Sequence, residues 1–430
     1  MLCWMFLVSF LFLPLSDSIP TSDSTTYELN DELLLAGVDG PYLFKKRNKI
    51  REIRVVSTDT SYEIEEYVHN SNEKSKFVCF VENKEKDSFS FQLKKKIKAP
   101  STKHKQPEKL LAISDIEGNF NAFYSLLVGN GVMDESYNWT YGNGHLVLVG
   151  DFVDRGTNVT QCLWLIYMLE QEAEKAGGMV HFILGNHEVM NLLGQTEYVD
   201  EKYMALAHRL SGKEDAIKAY KYLMSNQREL VRWMKSKNVI ERIGKTIFVH
   251  GGLSKELITA NMSIGEMNSF LRMALTREYF ADDGEANLKK FLMGPLGPLW
   301  YRGLVGRYKK IYTKASQKEV NSTLKYFQAE QMVIGHTVVE NISSDYQGKV
   351  YRTDIGFPTM KFTGKAQGLL IENNQFYRVN DLGERILLTE EQKAAEEELA
   401  KKKKLEQKEK RVKEEELAKK EKSMKKENEN

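Results

Sequence analysis

The sequence predicts an α/β fold in which short buried strands alternate with helices, and three observations indicate it. Apolar runs at 145–149 and 180–184 have the length and continuity of strands buried on both faces. Each run is followed by a glycine, and the alternation of strands and helices extends over 108–385. Because the functional crevice of an open α/β sheet lies at the carboxyl ends of its strands, the polar residues after each run are candidate site residues.

Length and composition allow one large domain with appendages. The chain has 430 residues, of which 41% are hydrophobic and 10% aromatic, and this is enough for a sizeable core. The formal net charge is only +2, and no strongly basic face indicates a nucleic-acid partner. We therefore expect a mostly globular protein that does not bind nucleic acid.

The N-terminus predicts a signal peptide over residues 1–18. Residues 2–16 are apolar, uncharged and too short for a comfortable membrane span, and small polar residues follow them. The usual preceding Lys or Arg is missing, which leaves an uncleaved anchor or a misassigned start as alternatives. Asn158 lies in an N-glycosylation sequon, and a glycan there would obstruct the nearby Arg155. A bacterial envelope therefore suits this chain better than a eukaryotic secretory route. We therefore expect a periplasmic or secreted protein of a bacterial envelope, with no transmembrane span after cleavage.

Two cysteines would remain in the mature chain, which excludes a disulfide-dense fold. They are Cys79 and Cys162, and one bridge between them is possible. Cys162 falls in an apolar series with helical spacing, so we expect it to be a thiol of the core.

The segments around the predicted α/β strands differ in composition. Residues 19–107 contain alternating apolar and polar stretches, which predict a small β-rich module. Residues 188–240 are rich in helix formers and predict a helical insertion in the α/β domain, 108–385. The stretches 367–371 and 375–379 predict a β-hairpin at the end of that domain.

Residues 386–430 predict a charged tail that is helical or disordered. Most of this segment consists of Glu, Lys, Ala and Leu, which favour helix. Its apolar positions do not keep a heptad spacing: Leu399, Leu405, Val412 and Leu417. A solvated tail is therefore favoured over a coiled coil with an unknown partner.

Six polar residues follow the predicted strands and could together hold metal ions. They come from five strand ends: Asp115, Glu117, Asp151, Asn186, His250 and His336. Taken singly, such an Asp is usually a helix N-cap, and such a His is often a hydrogen-bonded turn residue. Their joint placement is hard to explain in that way and favours a two-metal phosphoesterase site. Mixed oxygen and nitrogen ligands suit Mn, Fe or Zn better than Ca, and we expect Mn first.

The motifs around these residues resemble those of the calcineurin-like metallophosphoesterases of the phosphoprotein phosphatase superfamily. They occur in the order of that family, between residues 110 and 357: Asp115–Asn119, Gly150–Gly156, Gly185–Glu188, His250–Gly252 and Gly335–His336. The stretch Pro298–Gly303 and the pair Arg232-Trp233 are similar to the Shewanella-like protein phosphatase branch. The resemblance implies a β-sandwich flanked by helices.

The resemblance also implies a role for each motif residue. Two metals would share Asp151 as a bridge, with the remaining ligands divided between them. Asp115 and Glu117 would complete one site, and Asn186, His250 and His336 the other.

The other motif residues would handle the proton and the phosphate. His187 would be the general acid, oriented by Asp154, and a carboxylate behind a His favours its protonated form. Arg155 and Arg302 would hold the phosphate oxygens, whose geometry a guanidinium fork matches.

One position departs from the family pattern, because Glu117 stands where the family has His. A carboxylate adds negative charge and favours a harder ion such as Mn(II) or Fe(III) at that position. In one interpretation Glu117 is a working ligand of an active variant. In the other, the first metal site is impaired and the chain is a one-metal enzyme or a phosphate-binding pseudoenzyme.

The expected activity is hydrolysis of phosphomonoesters, with phosphoproteins among the candidate substrates, by direct attack of a hydroxide that bridges the two metals. The residues do not choose among a phosphoprotein, a nucleotide and a small phosphate ester. Two alternatives stay open. One is a non-catalytic envelope protein that binds phosphorylated ligands, and the other is a dinucleoside-polyphosphate hydrolase.

Overall fold

The computed structural model describes residues 37–58, 62–71, 75–277, 280, 282–306, 310–389, 397–398, 400–405 and 407–408. The predicted signal peptide and most of the predicted tail lie outside these residues. Among the described residues, no helix combines the length and the apolar character that crossing a membrane requires.

Two small antiparallel sheets form the N-terminal part of the described chain. The first contains β1 (Asp39–Lys46), β2 (Lys49–Ser57) and β3 (Tyr62–Asn70), in that order. The second pairs β4 (Lys76–Phe80) with β5 (Ser88–Gln92). The prediction of a β-rich N-terminal region is therefore confirmed.

Two six-stranded sheets form the centre of the molecule. The first contains β6 (Lys103–His104), β10 (Ile240–Ile243), β11 (Thr246–Val249), β12 (Gln331–Ile334), β13 (Ser343–Asp345) and β14 (Val350–Arg352), in the order β13-β14-β12-β11-β10-β6. The second contains β7 (Lys109–Ile113), β8 (His145–Val149), β9 (Met179–Ile183), β15 (Gln367–Glu372), β16 (Gln375–Asn380) and β17 (Arg385–Leu387), in the order β17-β16-β15-β7-β8-β9.

The two sheets face each other across a buried apolar layer. Val147 and Ile183 of the second sheet belong to one buried cluster with Phe248 and Val333 of the first. Three strands run parallel in each sheet, β7-β8-β9 in the second and β11-β12-β14 in the first. Their carboxyl ends therefore carry the predicted motifs to one side of the sandwich. This is the helix-flanked β-sandwich that the resemblance implied.

Helices connect the strands and cover the outer faces. In chain order, the described residues contain α1 (Phe120–Gly129), α2 (Val159–Lys175), α3 (Asn186–Leu193), α4 (Glu201–Ser211), α5 (Ala216–Leu223), α6 (Glu229–Lys235), α7 (Glu256–Thr259), α8 (Ile264–Ala274), α9 (Asp283–Leu292) and α10 (Gln317–Tyr326). The crossovers from β7 to β8 and from β8 to β9 run through α1 and α2, as parallel pairing requires. Helices α3 to α6 occupy the segment for which a helical insertion is predicted.

The N-terminal sheets pack on helix α2 and, through it, on the two central sheets. Trp164 of α2 donates its indole N–H to the Pro41 carbonyl at 2.8 Å and stacks on Phe91 with ring centroids 4.2 Å apart. Cys79 and Cys162 are both buried in this region, and both thiols are free. Residues before 107 also supply β6, which pairs in parallel with β10 at the edge of the first central sheet.

Candidate active site

The turns after the buried strands hold candidate residues in left-handed backbone. Asp151 and His336 have φ angles of 59° and 66°. Such conformations cost on the order of 1–3 kcal/mol for a non-glycine residue and are concentrated at functional sites. A Cβ on Gly150 would lie 2.7 Å from His250 Nδ1, and one on Gly185 would overlap the Asp151 carboxylate. The two glycines therefore allow these side chains to approach each other.

Three predicted ligands converge on one small volume. The donor atoms of Asp151, His250 and His336 all lie within 4.8 Å of one another, and all three side chains are buried. His250 Nε2 lies 2.8 Å from Asp151 Oδ2 and 3.2 Å from His336 Nδ1. The amide oxygen of Asn186 lies 3.0 Å from the same nitrogen, so three other predicted ligands surround it.

The chemistry of this donor set fits a metal ion. His250 Nδ1–H donates to the Val149 carbonyl at 2.8 Å, which orients Nε2 toward Asp151 and Asn186 as a potential metal donor. A backbone carbonyl behind a ligating imidazole is the usual orienting partner in metal sites. His336 Nε2 is buried and has no hydrogen-bond partner, which is costly unless another group binds there. These residues could hold a divalent ion.

Asp115 lies beside this cluster and is accompanied by a carboxylate that the sequence reasoning missed. The Asp115 oxygens accept the backbone N–H of His336 at 3.2 Å. Burial, and then the charge of Asp354, raise the pKa of Asp115 well above its ordinary value. Burial raises the pKa of Asp354 to about 7, against the lowering effect of His250. The charge of Asp151 also raises the pKa of both carboxyls, and a cation bound among them would favour their ionised forms.

Glu117 is placed differently from the other predicted ligands. Its carboxylate forms an ion pair with the Arg155 guanidinium, and it lies outside the cluster of Asp151, His250 and His336. The backbone fixes this proximity, because Glu117 N–H donates to the Asp151 carbonyl at 3.0 Å and Gly156 N–H donates to the Glu117 carbonyl at 2.9 Å. Ligation by Glu117 stays a prediction, and it would require the carboxylate to turn away from Arg155.

The predicted acid and its orienting carboxylate are in contact. His187 Nδ1 lies 2.6 Å from Asp154 Oδ2, and its Nε2 lies 3.8 Å from Asp151 Oδ2. Burial lowers the pKa of His187, but the hydrogen bond to Asp154 and the charge of Asp151 outweigh it and raise the pKa above the ordinary value. Asn191, which the sequence reasoning did not single out, donates to the other Asp154 oxygen at 2.7 Å and is itself held by Tyr220.

Glu188 joins the two central motifs, a function that its place in the sequence did not show. Its carboxylate is fully buried and accepts the backbone N–H groups of Asp151 at 2.9 Å, Phe152 at 2.7 Å and Gly185 at 2.7 Å. These three donors are freed by the turns after β8 and β9. Glu188 therefore fixes the turn that carries Asp151 to the helix that begins at Asn186.

The cluster opens into a cavity of roughly 620 Å³ whose wall includes both predicted phosphate ligands, Arg155 and Arg302. Arg302 also lies beside the Trp300 ring, with its guanidinium carbon 6.0 Å from the centroid. The predicted insertion reaches the same place through Tyr198. The Tyr198 carbonyl accepts the Arg155 N–H at 3.0 Å, and its ring lies 4.9 Å from the His187 ring.

Comparison with protein families identifies this arrangement. The model of the calcineurin-like phosphoesterases matches residues 108–340, which contain every predicted ligand and the predicted acid. The chain belongs to this family. Its members are metallophosphoesterases, and they use divalent metals of the kind that the donor cluster could hold.

Individual relatives are phosphatases. The chain is 25% identical to Shewanella-like protein phosphatase 2 of Arabidopsis thaliana over 315 residues, which cover 65% of this chain and 78% of the relative. It is 28% identical to Shewanella-like protein phosphatase 1 of Plasmodium berghei, over 53% of this chain and 61% of the relative. The crystal structure of a cold-active protein-tyrosine phosphatase from a psychrophilic Shewanella species is similar with a TM-score of 0.67 and 28% identity, over 82% of this chain and 99% of that one.

Proposed function

We propose that this chain is a metal-dependent phosphatase that hydrolyses phosphomonoesters with two metal ions, Mn being the first candidate. The observation that carries the proposal is the convergence of Asp151, Asn186, His250 and His336 at the base of a cavity that contains Arg155 and Arg302. When bound, the metals would supply Lewis acidity toward the phosphate oxygens and lower the pKa of water. The side chains of the protein would bind and orient the phosphate and transfer a proton to the leaving group.

The two arginines would bind and orient the phosphate. Arg155 is half exposed in the wall of the cavity, and Glu117 and Tyr198 limit the directions in which its guanidinium can point. Arg302 is held beside Trp300 in the same wall. A guanidinium that is already oriented loses less side-chain entropy when it binds two phosphate oxygens.

His187 would give its proton to the leaving oxygen. Asp154 holds Nδ1 at 2.6 Å, so the other ring nitrogen, Nε2, is the one that faces the Asp151 side of the site. With Nδ1–H donated to Asp154, the proton that leaves is the one on Nε2. Asn191 keeps Asp154 in place, so the acid is oriented by a chain of two hydrogen bonds.

For the substrate we propose a phosphoprotein, with phosphotyrosine as the first candidate. The similar Shewanella structure is that of a protein-tyrosine phosphatase. In this chain the cavity has an apolar wall that includes Phe357 and Val338. Tyr198 is 46% exposed and lies against the proposed acid, where the leaving group would be. An aromatic leaving group has suitable contacts on that side.

A substrate panel on metal-reconstituted protein tests this proposal. We expect turnover of p-nitrophenyl phosphate that depends on added Mn, and a higher kcat/KM for phosphotyrosine peptides than for phosphoserine peptides of the same sequence. Bound metal without turnover of any phosphomonoester would instead support the phosphate-binding pseudoenzyme. Cleavage of dinucleoside polyphosphates in preference to monoesters would support the hydrolase alternative.

Two further proposals, on export and on the charged tail, come from the sequence alone. We propose that residues 1–18 direct export to a periplasmic or secreted location and that the charged tail stays solvated. N-terminal sequencing of the mature protein tests the first point, since a start near residue 19 is expected. An intact Met1 on protein recovered from cells would contradict it.

A further inference from the structure

A second cluster of potential metal ligands lies outside the proposed active site. Its members are His104, His181 and Glu241, and their donor atoms all lie within 4.8 Å of one another. Glu241 Oε2 lies 2.6 Å from His181 Nδ1 and 3.3 Å from His104 Nε2. The side chains of His181 and Glu241 are 1% exposed, and that of His104 is 9% exposed.

The cluster lies where the two central sheets meet at one edge. His104 belongs to β6 and Glu241 to β10, which end the first sheet, while His181 belongs to β9, the end strand of the second. A main-chain hydrogen bond also joins the two sheets beside these strands. Leu184, directly after β9, donates its N–H to the carbonyl of Asn238, shortly before β10, at 2.9 Å. The three side chains therefore connect two sheets and three separate segments of the chain.

Each buried donor is oriented by a further group on its other side. His145 Nδ1 lies 3.0 Å from His181 Nε2, and Asn238 donates to Glu241 Oε1 at 2.8 Å. The remaining atoms, His181 Nδ1 and Glu241 Oε2, face each other, and both lie within 4.8 Å of a ring nitrogen of His104. An outer partner that fixes the ring and the carboxylate in this way is characteristic of metal sites.

We propose that His104, His181 and Glu241 bind a structural Zn²⁺ ion that fastens the edges of the two sheets together. Two imidazoles and a carboxylate are a known zinc ligand set, with zinc about 2.0–2.2 Å from each donor atom. A tetrahedral ion at that distance has ligands separated by roughly 3.3 Å. The His104–Glu241 distance matches this value, and the 2.6 Å His181–Glu241 pair has to open by roughly 0.7 Å.

The fourth position has an oxygen available. The Ser101 carbonyl lies 2.9 Å from His104 Nε2, and a water molecule is the alternative donor. Binding of the ion would require the ring nitrogens that now face Glu241 and Ser101 to present a lone pair in place of a proton, so zinc should bind more weakly at low pH. The partial exposure of His104 provides the entry path.

Zinc binding to a chain with a disabled catalytic cluster tests the proposal. In the background Asp151→Asn, His250→Ala, we expect one equivalent of Zn²⁺ after dialysis, and Co²⁺ in its place should give the visible absorption of a tetrahedral site. Adding His104→Ala should weaken zinc binding by at least tenfold and abolish the Co²⁺ bands. His208→Ala, at an exterior histidine whose Nδ1 lies 2.7 Å from the Lys213 carbonyl, is the matched control.

Two further measurements make the outcome decisive. Glu241→Gln, which keeps the volume of the side chain, should lose zinc in the same way if His104→Ala folds poorly. His104→Ala alone should keep metal-dependent turnover of p-nitrophenyl phosphate, because His104 takes no part in the proposed catalysis. Equal zinc content in the His104→Ala, Glu241→Gln and control chains, or no zinc in the background, would show that the cluster is only a hydrogen-bonded network.

Discussion

The described residues contain two clusters of His and carboxylate side chains, and the backbone conformations that carry them differ. In the proposed catalytic cluster of Asp151, His250 and His336, Asp151 and His336 have left-handed φ angles in turns that follow strands. In the edge cluster, which consists of His104, His181 and Glu241, the last two residues lie within regular strands. Strained turns at an open cavity suit binding and turnover, whereas strand residues between two sheets suit a fixed contact. We therefore expect substitutions in the first cluster to change activity and substitutions in the second to change stability.

Asp151→Asn should have the largest effect of all. Asp151 is the proposed bridge between the metals, and its oxygens also face His250 at 2.8 Å and the N–H of His187 at 3.0 Å. Loss of the charge should lower turnover by at least about 10³-fold, beyond the ~10–100-fold typical of an outer partner. Turnover of p-nitrophenyl phosphate and metal content by mass spectrometry measure it.

The same variant should also be less stable when no metal is bound, because the buried His250 loses the carboxylate that faces it at 2.8 Å, so turnover is compared on folded protein. Asp134→Asn, at a half-buried residue whose carboxylate accepts a hydrogen bond from Asn138 and which lies outside the proposed site, is the control and should keep full activity. Wild-type turnover by Asp151→Asn would contradict the proposed metal centre.

His187→Gln should come next, with an effect that depends on the leaving group. Loss of a positioned general acid costs ~10²–10⁴-fold, and the cost is greatest when the leaving oxygen is a strong base. We expect the larger loss with phenyl phosphate and a smaller one with p-nitrophenyl phosphate, whose leaving group is stable as an anion. Equal losses on both substrates would show that His187 positions the site and does not supply the proton.

The contrast between the clusters also explains what the sequence could predict. Asp151 and Asn186 each follow a short apolar run and a glycine, so local pattern alone places them at adjacent strand ends. The long-range contacts were out of reach of that reasoning. Asp354 follows β14, at the end of a three-residue strand too short to be detected, and it enters the site only because β14 pairs with β12.

The edge cluster was out of reach for a different reason. His104 and Glu241 are 137 positions apart, with partners in both sheets, and no turn or glycine marks either residue. Their contact results from the way the edges of the two sheets meet, which the pattern of a single strand does not encode. In the same way, the pattern showed Glu188 as part of a motif but not as the acceptor for three backbone N–H groups.

His181→Ala tests the stability side of the contrast. It leaves the buried Glu241 carboxylate without its 2.6 Å partner, while His104 and Asn238 still face it, so the expected cost is about 2 kcal/mol, less than for a fully uncompensated buried charge. The free energy of unfolding should fall by that amount in urea titrations with a chelator present, while kcat of the folded protein stays within about twofold. His69→Ala, at a partly exposed histidine on Glu52, is a control of the same type with a smaller expected loss.

Glu117→Gln should have the smallest effect and the most informative one. It separates the two possible roles of this carboxylate, which are to bind a metal ion or to orient Arg155. Its carboxylate is now paired with Arg155, and a metal would compete with that guanidinium for it. If Glu117 ligates, the variant should bind Mn about tenfold more weakly, and Glu117→His, which restores the residue of the family, should recover the affinity. If it serves only to orient Arg155, metal affinity stays unchanged and KM for the phosphate ester rises instead. We expect the first result, since removing a ligand changes the binding of the ion directly whereas Tyr198 would still limit the movement of Arg155.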